Sequence, residues 1–321
     1  MNPPLPGRPC LFAVLALACV ASMSALAQTT QPAANLPDGF RAHVVAVDGG
    51  WVDWTRGLVI AEGLGRAKGT GAQQRLMAQR AAEVVAVRNA LAAVNDVRID
   101  ADGRVAGIRA GSVRVQGVVR GQRVTRSQWS PDAKPPEARA TIEVPVWGIA
   151  GVATTFWRTR QVQSLYGKTH RIELTAAPAP TSDALVVLDA RGHVVSECLF
   201  PAVVDSQGRM LYDIATLPPP VARDVAVARY LESNLTFEHL RDADSTDSST
   251  GTTTQPDSSA YTRNVPGRQR IVVKVIDVTG PHHTDLVLAP ADADRLAASP
   301  EAVAALRQAQ VVIVVDRAQS R

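Results

Sequence analysis

The chain has 321 residues, of which 46% are hydrophobic and 20% are charged, and its formal net charge is +4. That length is enough for two domains of ordinary size, and the composition is normal for a globular secreted protein. Beyond the N-terminal segment no run of about 18 continuous apolar residues occurs, which excludes an integral helical membrane protein.

Residues 1–27 have the pattern of a signal peptide. Arg8 supplies the basic start, a short apolar run follows, and Ala25-Leu26-Ala27 fits a cleavage site made of small residues. Lipidation at Cys19 is the alternative, but Ala16 stands where a lipidation motif prefers leucine. We therefore predict cleavage after Ala27 and export, with a polar linker over residues 28–39.

Residues 40–150, the first region, are predicted to form an α+β domain. Phe40–Val47 alternates as a strand does, and the apolar run Gly57–Gly63 is typical of a strand that ends at glycines. The segment Ala72–Asn95 contains no proline or glycine, which predicts one long helix. Six of its apolar residues recur at three and four positions, and we expect this stripe to pack on the sheet: Met77, Ala81, Val84, Val87, Leu91 and Val94.

Two further strands complete this predicted domain. The stretch Val113–Val124 is interpreted as a strand interrupted by two glycines. The stretch Ala138–Trp147 is predicted as the last strand, because four apolar residues alternate on one face: Ala140, Ile142, Val144 and Val146. The expected fold class is α+β, with an antiparallel-rich sheet packed on one long helix, followed by a second, smaller α/β domain.

Four motifs of the first region carry a resemblance to a known family. They are Gly57–Gly65, Ala82-Glu83-Val84-Val85-Ala86-Val87-Arg88-Asn89, Val97-Arg98-Ile99 and Val115–Val124. In this order they resemble the LPP-twenty outer-membrane lipoprotein family and the related N-terminal domain of flagellar assembly protein T, over about residues 50–148. The resemblance implies an envelope location and brings no catalytic residue. The chain departs from the lipoproteins in lacking a good lipidated cysteine.

After a connector at residues 151–182, residues 183–321 are predicted to form the second α/β domain, the second region. Its predicted elements are strands at Ala184–Ala190, Ile271–Val278, Asp285–Leu288 and Val311–Asp316, a hairpin around Ser206-Gln207-Gly208, and helices at Asp224–Leu240 and Pro290–Gln308, the latter broken at Pro300. Residues 242–259 are rich in Ser, Thr and Asp, which predicts a disordered insertion. This half resembles a C-terminal region of uncharacterised bacterial envelope proteins, and no activity follows from that.

One group of residues contains the side-chain types of a hydrolase. Asp189, His193 and Ser196 include all three members of a catalytic triad, but no Gly-x-Ser-x-Gly turn is present. Cys198 is the one cysteine outside the signal peptide, and a lone cysteine is more often a small buried hydrophobe than a nucleophile. We therefore predict no catalytic residue and no enzyme.

Two other motifs contain residue types that occur in metal or phosphate sites. His282 and His283 are adjacent, and no further ligand follows at a zinc-binding spacing. The glycines of the stretch Gly63–Gly69 have the spacing GxGxxxG, which differs from both the dinucleotide and the P-loop motifs. A solvated loop and a strand-to-helix crossing explain them, so we predict no metal and no cofactor.

A run of arginines without Asp or Glu is the strongest surface signal. The candidates for contacting an anionic surface are Arg114, Arg120, Arg123 and Arg126, preceded by Arg104 and Arg109. Residues 28–150 carry 16 basic and 11 acidic side chains, a net charge of +5, whereas residues 151–321 carry −2. Such a strip could hold lipid headgroups, lipopolysaccharide, a glycan carboxylate or an acidic partner. A solvated sheet face is the alternative, and export disfavours nucleic acid.

The tryptophans allow one more reading of the first region. Trp51, Trp54, Trp129, Trp147 and Trp157 could form a glycan platform, but we expect them to serve packing. The leading hypothesis is a non-enzymatic exported protein of the periplasm or outer membrane. It would act by binding or assembly with an envelope component or protein partner, in an outer-membrane or flagellar-associated structure. The alternatives are an envelope hydrolase and a glycan-binding protein.

Overall fold

The computed structural model describes residues 36, 39–107, 109–122, 124–166, 170–179, 183–242 and 269–317. The predicted signal peptide, the linker as far as residue 35 and residues 243–259 of the predicted insertion lie outside these ranges. Residues Leu36–Arg321 belong to one compact unit. In the described part of the chain, no helix is both long enough and apolar enough to cross a membrane.

In the described residues, the first region contains a five-stranded antiparallel sheet and a separate pair of short antiparallel strands. Its elements, with the β1 strand that precedes them, are β1 (Phe40–Ala42), β2 (Val44–Val47), β3 (Gly50–Asp53), β4 (Leu58–Arg66), α1 (Ala72–Asp96), β5 (Arg98–Asp100), β6 (Gly103–Arg104), α2 (Arg109–Arg120), β7 (Val124–Ser130) and β8 (Glu137–Pro145). The sheet order is β2-β3-β4-β8-β7, and every pairing in it is antiparallel. The long helix α1 packs on one face of this sheet. The predicted combination of one long helix and an antiparallel sheet is confirmed.

The last strand of the sheet follows its predicted pattern. Four residues of the predicted alternating face are fully buried, as expected for a strand with one face on a core: Ala140, Ile142, Val144 and Val146. The opposite face of β8 is only partly buried. Antiparallel sheets commonly leave one face in water, and here α1 covers the other.

The predicted packing stripe of α1 is wrong over its first half and correct at Val94, which is fully buried. Met77, Ala81 and Val84 are exposed, and Val87 and Leu91 are only partly buried. Apart from Val94, the buried residues of α1 are alanines that the prediction left out: Ala78, Ala82, Ala86, Ala90 and Ala93. Small residues face the sheet because the helix backbone lies directly against β4.

Two glycines of β4 make this close approach possible. A Cβ built at Gly65 would lie 2.8 Å from the amide nitrogen of Ala82, and a Cβ at Gly63 would overlap backbone atoms of Ala82 and Ala86. The side-chain amide of Asn89 donates to the carbonyl oxygen of Glu62 at 2.7 Å, which fixes the helix along the strand. Two of the three glycines that resemble a phosphate loop, Gly63 and Gly65, therefore pack against α1.

The predicted strand Val113–Val124 is also wrong, because residues Arg109–Arg120 form the helix α2. Val115 and Val119 are buried at a spacing of four residues, which is the period of a helix face. Valine favours strands by propensity, but tertiary packing overrides so weak a preference. The strand begins only at Val124 and forms β7 at the edge of the sheet.

In its described residues, the second region contains two sheets. Its elements, with the connector helix before them, are α3 (Trp157–Tyr166), β9 (Leu185–Asp189), β10 (Val203–Asp205), β11 (Met210–Tyr212), α4 (Pro219–Asp224), β12 (Arg229–Ser233), α5 (Phe237–Asp242), β13 (Arg270–Lys274), β14 (Asp277–Thr279), β15 (Asp285–Leu288), α6 (Pro290–Ala298), α7 (Pro300–Arg307) and β16 (Val311–Val315). The sheet orders are β1-β12-β16-β9-β13 and β11-β10-β15-β14. A second α/β region therefore follows the first, as predicted.

One predicted helix of the second region is wrong and one is confirmed in detail. The stretch Asp224–Leu240 contains the strand β12, because Tyr230 and Leu231 are buried and pair in parallel with β16. The helical stretch after residue 290 breaks where predicted. Ser299 accepts the amide proton of Ala302, and Pro300 occupies the first turn of α7.

The two regions share a strand and a core. β1 pairs with β12 in the second region's sheet, whereas β2, one residue later, pairs with β3 in the first region's sheet. The ring of Trp54 lies 6.0 Å from that of Trp147 and 5.5 Å from that of Tyr230, measured between centroids. One continuous cluster of buried side chains therefore contains residues of both regions.

Candidate binding surface

The helix α1 presents large apolar side chains to solvent. Leu76 is 65% exposed, and Met77 and Val84 are each 66% exposed. The stripe that contains Met77 and Val84 becomes partly buried further along the helix, at Val87 and Leu91, which pack against the core. The periodic apolar pattern of α1 is real, but its first half has no cover within the described part of the chain.

Arginines lie among these apolar residues. Arg80 and Arg88 stand four residues before and after Val84, so their side chains flank it on the helix surface. Both are exposed, and neither lies within 4 Å of a carboxylate among the described residues. We call Leu76, Met77, Arg80, Val84 and Arg88 the outer face of α1.

The predicted arginine strip does not form one sheet face. Arg120 is exposed at the end of α2, and Arg126 is exposed on β7, so they belong to different elements. Arg123 and the side chain of Arg114 lie outside the described residues. The alternative of a solvated sheet face is wrong for Arg120 because residues 109–120 are helical. Contact of the four arginines with an anionic surface stays a prediction.

A buried cluster joins the two regions where β1 ends and β2 begins. His43 is 1% exposed. Its Nε2 lies 2.6 Å from Oε1 of Glu197, and its Nδ1 lies 3.1 Å from Oε1 of Glu232. The backbone amide of His43 donates to Oγ1 of Thr55 at 2.8 Å. No sequence motif indicated this cluster, because its members are far apart in the chain.

The protonation state of His43 follows from its partners. Burial lowers the pKa of His43, but hydrogen bonds and charges, those of Glu197 before those of Glu232, outweigh it and raise the pKa above its usual value. Ionised carboxylates only accept hydrogen bonds, so both ring nitrogens donate when the ring is an imidazolium. The buried imidazole of His43 therefore lies between two carboxylates that favour its protonated form, and its hydrogen bonds connect the two regions.

The three residue types of a catalytic triad are not brought together. Nε and Nη2 of Arg191 donate to the two carboxylate oxygens of Asp189, each at 2.7 Å. The backbone amide of Ser196 donates to the carbonyl oxygen of His283. Among the described contacts no hydrogen bond joins the side chains of Asp189, His193 and Ser196. Asp189 thus orders a turn of the second region.

The remaining candidates for catalysis or metal binding are Cys198, His282 and His283. Cys198 is fully buried, and burial raises its pKa well above the usual value, which keeps the thiol protonated. His282 and His283 are exposed in a turn. In the described ranges no group of three or more His, Cys, Asp or Glu residues could hold a metal ion.

The tryptophans serve packing for the most part. Trp54 and Trp147 are buried, and Trp129 and Trp157 are partly buried against the core. Trp51 is partly exposed and pairs with Ile60 across β3 and β4, on the sheet face away from α1. An aromatic platform for a sugar ring needs exposed faces, and the described structure does not align these five side chains into one.

Three carboxylates lie near one another at a second contact between the two regions: Asp100, Asp102 and Asp285. Nε of Arg160 lies 2.8 Å from Oδ2 of Asp100. Burial raises the pKa of Asp285, the hydrogen bond from Thr284 opposes that rise, and the charges of Asp100 and Asp102 raise it further, to about 6. Near neutral pH, the folded protein therefore holds an Asp285 carboxylate that its surroundings disfavour.

Replacing Asp285 with asparagine is expected to stabilise the protein at pH 7.5 by about 1–2 kcal/mol. The folded-state pKa of Asp285 exceeds its usual value, so the proton is bound more tightly in the folded state. Stability from this group is complete below about pH 4 and is lost as the pH rises through about 6. Urea unfolding at pH 5 and pH 7.5 measures the effect.

The control for this substitution is Asp132→Asn, in the exposed loop between β7 and β8. It should leave the unfolding free energy within about 0.5 kcal/mol of that of the unchanged protein. An Asp285→Asn variant that is less stable at pH 7.5 would contradict the charge argument, because the hydrogen bond from Thr284 would then outweigh the charge repulsion.

Comparison with known families concerns the second region. A family model described as Treponema pallidum Tp0624, second domain, matches residues 185–317. The matched range begins at β9 and ends after β16, so it covers nearly all of the second region. No curated protein matches the chain. The resemblance of residues 50–148 to LPP-twenty lipoproteins and flagellar assembly protein T stays a prediction.

Proposed function

We propose that this is a non-enzymatic, exported cell-envelope protein that acts by binding or assembly, and that the outer face of α1 is its docking surface. The observation that carries the proposal is the exposure of Leu76, Met77 and Val84, about two thirds each, on one side of one helix. Grouped exposed apolar side chains mark interaction sites, whereas single ones are ordinary on any surface.

The packing of α1 on the sheet supports its proposed role as a docking surface. An alanine stripe is sufficient to bury the helix on β4, so the larger apolar residues are free to contact something else. The signal-peptide pattern of residues 1–27 supports export. The resemblance of residues 50–148 to outer-membrane and flagellar envelope modules supports a role in an outer-membrane or flagellar-associated structure.

The alternative functions have less support. An envelope hydrolase would need a nucleophile, a base and an orienting acid in mutual contact, and Arg191 occupies the carboxylate of Asp189. A glycan-binding protein would need an exposed aromatic surface, and Trp51 does not share one with Trp54 or Trp147. Neither alternative explains the apolar outer face of α1.

Replacing Leu76, Met77 and Val84 together with serine is expected to abolish association of the exported protein with the cell envelope. Each side chain is exposed, so each change should alter the unfolding free energy by only about 0.5 kcal/mol. Sedimentation of a cell-envelope fraction, followed by quantification of the protein in the pellet, measures the association. Thermal unfolding verifies that the variant is folded.

The control is a triple serine variant at three exposed apolar residues outside α1: Ile149, Val194 and Ile276. It removes a similar amount of exposed apolar surface without touching the outer face of α1. Equal pelleting of both variants and the unchanged protein would contradict the proposal. If only the control variant failed to pellet, the docking surface would have to include Ile149, Val194 or Ile276 and would not be the outer face of α1.

A further inference from the structure

We infer that the outer face of α1 binds the surface of an anionic phospholipid bilayer, with Leu76, Met77 and Val84 inserted among the acyl chains and Arg80 and Arg88 at the phosphates. This inference rests on the proposed function and identifies the partner of the same surface. The occupant is the lipid surface itself, and neither a protein nor a second copy of the chain is required.

The charge of the surface favours an anionic partner. Before its last turn, α1 carries Arg75, Arg80 and Arg88 against a single acid, Glu83. The chain around α1 adds a wider positive field, since residues 28–150 carry a net charge of +5. A basic surface of this kind is attracted to anionic headgroups, and each arginine near the bilayer adds to the binding. Arginine also reaches the phosphates with its guanidinium while its stem lies along apolar surface.

The shape of the surface favours a bilayer over a protein. From Leu76 to Arg88 the helix runs about 18 Å, and it lies as a ridge on the sheet with three large apolar side chains projecting. A stable protein interface buries about 800 Å² on each partner and involves about 20–30 residues. A ridge of three apolar residues is small for that, but insertion of an apolar helix face into the boundary between headgroups and chains needs no matching cavity.

A symmetric dimer through this face is disfavoured by the same arginines. In a two-fold dimer the same patch occurs on both partners. Arg80 and Arg88 of one copy would then face the arginines of the other copy, with one glutamate near them on each helix. Like charges brought together in an interface cost binding energy, whereas lipid phosphates neutralise them.

The test uses the exported, purified protein and vesicles of two compositions. One is phosphatidylcholine alone, and the other is phosphatidylcholine with phosphatidylglycerol. We expect the protein to sediment with the anionic vesicles and at least about tenfold less with the neutral ones. Changing Leu76, Met77 and Val84 to serine should remove binding to both. Arg80→Gln with Arg88→Gln should weaken binding to anionic vesicles about tenfold and reduce its salt dependence.

The matched control is Arg41→Gln with Arg66→Gln, two exposed arginines outside α1. It removes the same charge, so binding near that of the unchanged protein supports a localised contact. Equal weakening in both double variants would overturn the assignment to α1, as would absent binding to anionic vesicles at low salt. If vesicles do not bind but pelleting with the cell envelope still requires Leu76, Met77 and Val84, the partner is a protein. In that case the proposed function stands and this inference fails.

Discussion

Replacing Gly63 with valine is expected to unfold the compact unit that begins at Leu36. A side chain at Gly63 would occupy the position of the Ala82 carbonyl oxygen and the Ala86 amide nitrogen. These are backbone atoms of a helix, so no side chain can rotate away, and α1 would have to leave β4. Overpacking of a close contact usually costs about 1–3 kcal/mol, and loss of the buried alanine stripe adds to it.

We therefore expect a loss of more than about 4 kcal/mol, which is exceptional for a single substitution. Circular dichroism during urea unfolding measures it. The matched control is Gly69→Val, just before α1, where a Cβ would meet no atom within 4 Å. Both variants replace glycine with the same β-branched residue, so the difference between them isolates the helix–strand contact. Equal midpoints for the two would contradict the packing described for α1 and β4.

Removing the imidazole of His43 is expected to cost about 3–5 kcal/mol, the range for breaking a buried ion pair from one side. His43→Leu leaves the carboxylates of Glu197 and Glu232, whose side chains are 17% and 14% exposed, without the imidazole between them. The cluster lies at the junction of β1 and β2, so its loss weakens the connection between the two sheets. Thermal and urea unfolding of the variant give the size of the effect.

The same cluster predicts how stability depends on pH. The pKa of His43 is raised in the folded state, so the folded protein binds this proton more tightly than the unfolded chain does. Its contribution is fully present below the unfolded pKa of about 6.5 and is lost as the pH rises through the folded pKa. The unchanged protein should therefore become less stable above about pH 6.5.

A triple variant provides the control for charge. His43→Leu combined with Glu197→Gln and Glu232→Gln removes the two carboxylates that faced the imidazole, so it should recover part of the stability that His43→Leu loses. It should also lose the decline of stability above about pH 6.5. If the triple variant is less stable than His43→Leu alone, the carboxylates contribute through other contacts and the ion-pair account is wrong.

Export with cleavage of the signal peptide can be tested by mass spectrometry. Cleavage after Ala27 predicts a mature protein that starts at Gln28, and the mass of the intact exported protein measures this. A diacylglyceryl group at Cys19 would contradict the prediction. It would also attach the chain to a membrane by another route, so vesicle binding by the outer face of α1 should be measured on the unlipidated protein.

The local signals of the chain were sufficient for several elements. Ala138–Trp147 alternates strictly, so its buried face follows from the sequence, and the structure buries that face. The continuous apolar run at the end of the chain predicts the fully buried strand β16. Proline at position 300 predicts the break between α6 and α7, because the first turn of a helix tolerates it. In each case the information lies within about ten neighbouring residues.

Which side of α1 packs on the sheet is decided by tertiary contacts. Its sequence holds two stripes, one of alanines and one of larger apolar residues, and periodicity alone favours the larger ones. The glycines of β4 determine that the alanine stripe packs on the sheet. The backbone of α1 lies directly against Gly63 and Gly65, and only small helix residues fit into so close a contact. Because the alanine stripe faces the sheet, Leu76, Met77 and Val84 are exposed to solvent and form the candidate binding surface.

The His43 cluster could not be read from the sequence for a related reason. His43 is separated from Glu197 by 154 residues and from Glu232 by 189 residues, and neither pair follows a motif. Their contact depends on the strand that passes from one sheet to the other at His43, and on β12 pairing with β1. Sequence patterns report the period and polarity of neighbouring residues, whereas which faces and which distant charges meet is decided by the packing of whole sheets against one another.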